Sequence, residues 1–159
     1  MIKKICISLI LITIPFIYSC GFTPKYANYE GINFQIEIDK FTGDRELNNF
    51  LKSKLKRYNN KKNEDLEILS LNLNSKFERN SIAKNTKGEI TKYELKAIVN
   101  ITLKFEDKTR EMVFDERFKI DKIDDTVEQN NYILIVKKDF ADQIIDKLIF
   151  DIRTKGNKE

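Results

Sequence analysis

Tyr93-Glu94-Leu95-Lys96-Ala97-Ile98-Val99-Asn100-Ile101-Thr102-Leu103-Lys104-Phe105 decides the fold. Every odd position is apolar, while Glu94, Lys96, Asn100, Thr102 and Lys104 stand between them. Successive side chains on a strand point to opposite faces, so this stretch predicts a strand with one dry and one wet face. Glu106-Asp107-Lys108 follows as a tight turn. Beyond it Met112, Phe114, Phe118 and Ile120 share one side of a further strand. Two strands joined this closely pair antiparallel.

Upstream, a strand begins near Leu66, with Leu69, Leu71, Leu73 and Phe77 on one face and Ser75 interrupting it. Asn80 to Gly88 is rich in Asn, Ser, Thr, Lys and Gly, which predicts a connecting loop or flexible hairpin tip. Asp44 to Tyr58 predicts a helix, with Asp44 as N-cap and Leu47, Phe50, Leu51, Leu55 and Tyr58 on one stripe. A polar loop, Asn59 to Asp65, separates the two. Before the helix, Ile32, Phe34, Ile36 and Ile38 alternate with Asn33, Gln35, Glu37 and Asp39, another half-wet strand. Downstream, Asp125 to Thr154 predicts a long helix whose stripe holds Leu134, Phe140, Ala141, Ile144, Ile145, Leu148, Ile149 and Ile152. Asp124, Asp125 and Glu128 at its start and Arg153 and Lys155 at its end suit the helix dipole.

The order is β-α-β-β-β-α. The simplest closure is an α+β fold, with two helices packed on one face of a four-stranded mixed, mainly antiparallel sheet. The strand-helix-strand start calls for a parallel pair through a right-handed crossover. The other face is polar, with Lys92, Glu94, Lys96 and Asn100 on the third strand and Arg110 and Lys119 near or on the fourth.

Charged residues make up 34% of the chain with both signs interspersed and a net charge of +4, which favours a solvated surface over a nucleic-acid footprint. The chain has no histidine base and no glycine-rich phosphate loop, so neither an enzyme nor a cofactor is expected. Asp139, Asp142 and Asp146 recur at helical spacing, but no histidine or nearby ligand set completes a metal site, and a solvated helix face accounts for them.

The amino end has its own pattern. Lys3 and Lys4 precede an apolar run, Ile5 to Ile17, shorter than the ~17–25 residues of a membrane-spanning helix. Ile17-Tyr18-Ser19-Cys20 closes it and resembles the bacterial lipoprotein box, although Tyr18 is larger than the box usually carries. That resemblance implies a signal peptide over residues 1–19, removal ahead of Cys20, and acylation of Cys20 by diacylglycerol and an amino-terminal chain such as palmitate. The alternatives are a plain signal peptide or an uncut anchor. Cys6 would leave with the signal and Cys20 would carry lipid, so no disulfide is expected in the mature chain. Residues 20–31 then read as a lipidated tether and 32–159 as a single domain. Gly21, not Asp, follows the cysteine, which leans toward the outer membrane.

Cys20-Gly21-Phe22-Thr23-Pro24-Lys25-Tyr26 resembles the opening of the LPS-assembly lipoprotein family, LptE, of the alphaproteobacterial type. Lys25 stands where that family commonly has leucine. The element order also matches the family's fold over nearly the whole mature chain. The resemblance implies an outer-membrane lipoprotein, lipid-anchored on the periplasmic side. It would partner and plug the LptD barrel and assist lipopolysaccharide insertion at the cell surface. It implies lipopolysaccharide binding near the hairpin between the second and third strands, where Arg79, Lys84, Lys87 and Lys92 stand beside Ile82 and Ile90. Clustered cations suit phosphate; a solvated hairpin tip is the plain alternative. An auxiliary lipid-binding lipoprotein of an ABC-type envelope transporter, and a structural lipoprotein with no ligand, are the competing functions.

Overall fold

In a computed structural model, which describes residues 34–58 and 67–156, the alternating stretch is an inner strand of a four-stranded sheet. The elements are β1 (Phe34–Gly43), α1 (Arg45–Leu55), a short 3-10 turn (Lys56–Tyr58), β2 (Glu67–Lys84), β3 (Ile90–Phe105), β4 (Lys108–Asp121) and α2 (Thr126–Gly156). The expectations for the signal segment, Cys20, the tether and the polar loop fall outside the described residues.

The strands lie in the order β1-β2-β3-β4. β1 pairs parallel with β2, while β2–β3 and β3–β4 are antiparallel, as the spacing of the elements predicts. A bulge between Ile38 and Lys40 resets the alternation of β1, so Phe41 comes level with Leu73 on the helix side. The hydrophobic effect closes the fold. Ile36, Leu71, Leu73, Leu95, Val99 and Ile101 from the sheet meet Leu47, Leu51 and Leu55 from α1 and Ile144, Ile145 and Leu148 from α2, all fully buried. Each such side chain contributes about 1.5–3 kcal/mol over the exposed state.

Both helices start on aspartates. The Leu47 amide donates to Asp44 Oδ1 at 2.8 Å, and the Val127 and Glu128 amides donate to Asp125 Oδ1 at 2.7 and 2.9 Å. These bonds satisfy amides that the first turn leaves without partners.

Three details differ from the sequence reading. The helix expected to reach Tyr58 ends at Leu55 and tightens into the 3-10 turn, which still buries Tyr58. The loop expected over Asn80 to Gly88 contracts to a short turn, because β2 runs on to Lys84 and β3 begins at Ile90. There the β3 ladder holds a polar strand that no core requires to be apolar. Arg110, assigned to the wet face, lies on the helix side and pairs with Asp151 of α2.

Ser75, which interrupts the dry row of β2, marks where β1 stops. Gly43 pairs with Ser75 at φ +97°, and a Cβ on Gly43 would fall 1.7 Å from the Ser75 carbonyl oxygen. Only glycine fits that contact and that backbone angle. The Asp44 amide donates to the Ser75 carbonyl at 3.1 Å, and the Ser75 hydroxyl donates to the Asp44 carbonyl at 3.3 Å. The chain turns here into α1, while β2 and β3 continue without β1 to Lys84 and Ile90, and β4 stays beside β3 as far as Lys92.

Candidate functional site at the hairpin end

The hairpin end therefore has a backbone cause: β1 and α1 stop at Ser75 and β2–β3 do not. The turn is tied by Asn85. Its Oδ1 accepts from the Lys87 amide at 2.9 Å and the Glu89 amide at 3.0 Å, and its Nδ2 donates to Glu89 Oε2 at 2.7 Å. Gly88 closes the turn at φ +82°. Lys84 and Lys87 are exposed at this tip.

The four sequence-selected cations share this end of the sheet but not one face. Arg79 is exposed, lies in β2 on the helix side, and stacks over the Tyr93 ring at 4.8 Å from its centroid. Lys92 points to the opposite face and pairs with Asp121 at 3.3 Å, both side chains largely exposed. Lys84 ends β2, and Lys87 alone of the four sits in the turn. Among the described residues no carboxylate pairs with Arg79, Lys84 or Lys87.

Several charges on the face away from the helices are matched within it. Lys76 pairs with Glu78 at 2.6 Å, and Asp115 takes both Lys96 at 3.2 Å and Arg117 at 3.0 Å. Hydrogen bonding from Arg117 holds the Asp115 carboxyl below the usual carboxylate range, with Lys96 adding to it. The same bond raises Arg117, and Lys76 holds Glu78 low. Apolar side chains on this face are few; Val113 is 68% exposed.

Sequence reasoning missed two inward charges. Lys137 lies within the α2 stripe and is only 5% exposed. Its Nζ donates to Asp44 Oδ1 at 3.1 Å, Asp44 Oδ2 at 3.0 Å and Glu46 Oε2 at 2.8 Å, and sits 4.3 Å from the Phe77 ring centroid. It joins the α1 cap, α2 and β2 where β1 stops. Glu116 occupies the dry row of β4, is nearly buried, and pairs with Lys147 of α2. The signal for both was a charge at an apolar position of an otherwise regular pattern.

Among the described residues no group of His, Cys, Asp or Glu could hold a metal, and no helix is long and apolar enough to cross a membrane. Asp142, one of the three helix aspartates, is taken by Lys54 at 2.8 Å.

No family model and no curated protein sequence matches the chain. Solved structures do. Rare lipoprotein B from Shewanella oneidensis aligns at TM-score 0.54 and 15% identity, covering 75% of this chain and all of that one. A minor lipoprotein from Acinetobacter baumannii aligns at TM-score 0.42 and 15% identity, covering 69% of this chain and 91% of that one. At such identity the first likeness establishes a shared fold, and the second adds no argument. The chain shares the fold of rare lipoprotein B.

Proposed function

We propose that the chain is an envelope lipoprotein of the LptE type. Acylated at Cys20 and held on the periplasmic side of the outer membrane, it partners and plugs the LptD barrel and assists lipopolysaccharide assembly. It has no catalytic role. The carrying observation is a sheet with both helices on one face and a polar second face bearing matched ion pairs, in a chain that reads Cys20-Gly21-Phe22-Thr23-Pro24 ahead of the domain. The fold shared with rare lipoprotein B supports the same reading.

A plug must present a polar skin, because a wide barrel lumen is polar. Internally matched ions such as Lys96–Asp115–Arg117 supply one at little desolvation cost. Lys84 and Lys87, at a tied turn and without carboxylate partners among the described residues, suit charge-assisted bonds to lipid phosphate. Arg79 and Lys92 contribute from the two faces, Lys92 by exchanging its exposed Asp121. Three acyl chains at Cys20 would make release from the membrane negligible, at ~0.8 kcal/mol per buried methylene.

The test is depletion joined to a pull-down of the lipidated chain from detergent-solubilised envelopes. Expected are co-purification of a large barrel, loss of outer-leaflet lipopolysaccharide on depletion, and an acylated Cys20 by mass spectrometry. A normal barrel with normal surface lipopolysaccharide in depleted cells would refute the assignment.

A further inference from the structure

Beyond Ser75, β2 has β3 on one side and no backbone partner on the other among the described residues. The Ser75 carbonyl points to that open side, since it accepts the Asp44 amide there. Backbone groups alternate in direction along a strand. Phe77, Arg79 and Ser81 therefore direct their N–H and C=O groups outward as well. The ladder with β3 stays regular to Ser81 and becomes irregular only between Ser81 and Lys84. The open edge is thus free of bulges over Lys76–Ser81.

The side chains of the same three residues lie on the helix side. Phe77 is half-buried beneath Lys137, and Arg79 sits over the Tyr93 ring. Lys137 spends its charge on Asp44 and Glu46. Arg79 has no carboxylate partner among the described residues, and Lys84 and Lys87 beyond it add positive charge. The other open edges differ. β4 carries an inward Glu116 and Arg110 paired to α2, and β1 carries a bulge with Asp39 and Lys40, features that discourage strand addition.

We infer that Phe77–Ser81 is a docking edge for an extended acidic segment of another polypeptide, which adds to β2 as a strand. Its backbone would pair with Phe77, Arg79 and Ser81, and a carboxylate would meet the Arg79 guanidinium. Strand addition draws affinity from the main chain and selectivity from alternate side chains. The inference does not depend on the identity of the barrel.

The test is amide NMR of the full-length chain in detergent, titrated with a five-residue peptide alternating threonine and valine about a central aspartate. Controls are the same peptide with a central lysine, and the aspartate peptide N-methylated at alternate amides. Expected are saturable shifts confined to Lys76–Ser81 with the aspartate peptide alone. Arg79→Gln should weaken binding about tenfold, the weight of one charge-assisted bond. Arg79→Glu should transfer the preference to the lysine peptide. No saturable shift at about 10 mM, a range that still detects millimolar binding, would overturn the proposal. So would equal binding of the N-methylated peptide, or shifts along β4 or β1 instead. Shifts at these amides with lipopolysaccharide micelles and not with peptide would assign the edge to phosphate and also overturn it.

Discussion

Replacing Lys137 with methionine keeps the apolar stem of the side chain and removes its charge. The loss can be worked out contact by contact. The paired bonds to Asp44 are part-buried and charge-assisted, worth about 1.5–3 kcal/mol. The Glu46 bond ends on a half-exposed carboxylate and counts for about 0.5 kcal/mol. The ring contact with Phe77 adds about 0.5–1 kcal/mol. Water can rehydrate Asp44 only in part, so the expected destabilisation is about 3 kcal/mol, near the lower end for breaking a buried pair. Urea unfolding followed by far-UV circular dichroism, with Asp44→Asn and the double variant completing the cycle, measures it. Asp44→Asn keeps an N-cap acceptor, so the coupling energy reports the ion pair and not the cap. A Lys137→Met change of under about 1 kcal/mol, or a coupling near zero, would refute the view that this lysine fastens α1 to α2.

Gly43→Ala should cost at least about 3 kcal/mol or abolish folding, since the Ser75 backbone blocks the new Cβ and φ is left-handed; thermal melts decide it. Folding lowers the pKa of Asp115, through Arg117, and of Glu78, through Lys76, below the ordinary carboxylate values. Their contribution is whole above those values and is lost as pH falls through the lower folded ones. Melting temperature should therefore hold down to about pH 4.5 and decline below, with Asp115→Asn giving a shallower acid limb. Glu116→Leu should change monomer stability by less than about 1 kcal/mol, because Lys147 is already half-exposed, yet increase self-association by light scattering once the inward charge on edge strand β4 is gone.

The fold was legible because its signals were local. The unbroken odd row from Tyr93 to Phe105 is the inner row of β3, and the α2 stripe is the surface that covers it. Element order then left few ways to close the sheet. The length of β2 was not legible. Asn80 to Lys84 looks like loop because polar side chains serve equally in a turn and in a strand that nothing covers. Ser75 was visible as a fault in a pattern and Glu116 stands at a similar gap in the β4 row, but their partners, Gly43 and Lys147, lie far away in sequence. The cations at the hairpin end could be chosen by type and proximity. Their division between faces depends on register, which one misplaced strand boundary hides.

β2 also acts as a ruler. Its 18 residues at ~3.3 Å each span roughly 59 Å, more than the ~40–45 Å thickness of a bilayer with its headgroups. The chain enters the domain at Phe34, level with Glu67 at one end of that ruler, and Lys84 marks the other. Whatever grips the entry point therefore sets the Asn85 turn more than a membrane's depth away. Trimming two residues from each arm of the hairpin would shorten that reach by about 7 Å while sparing the core.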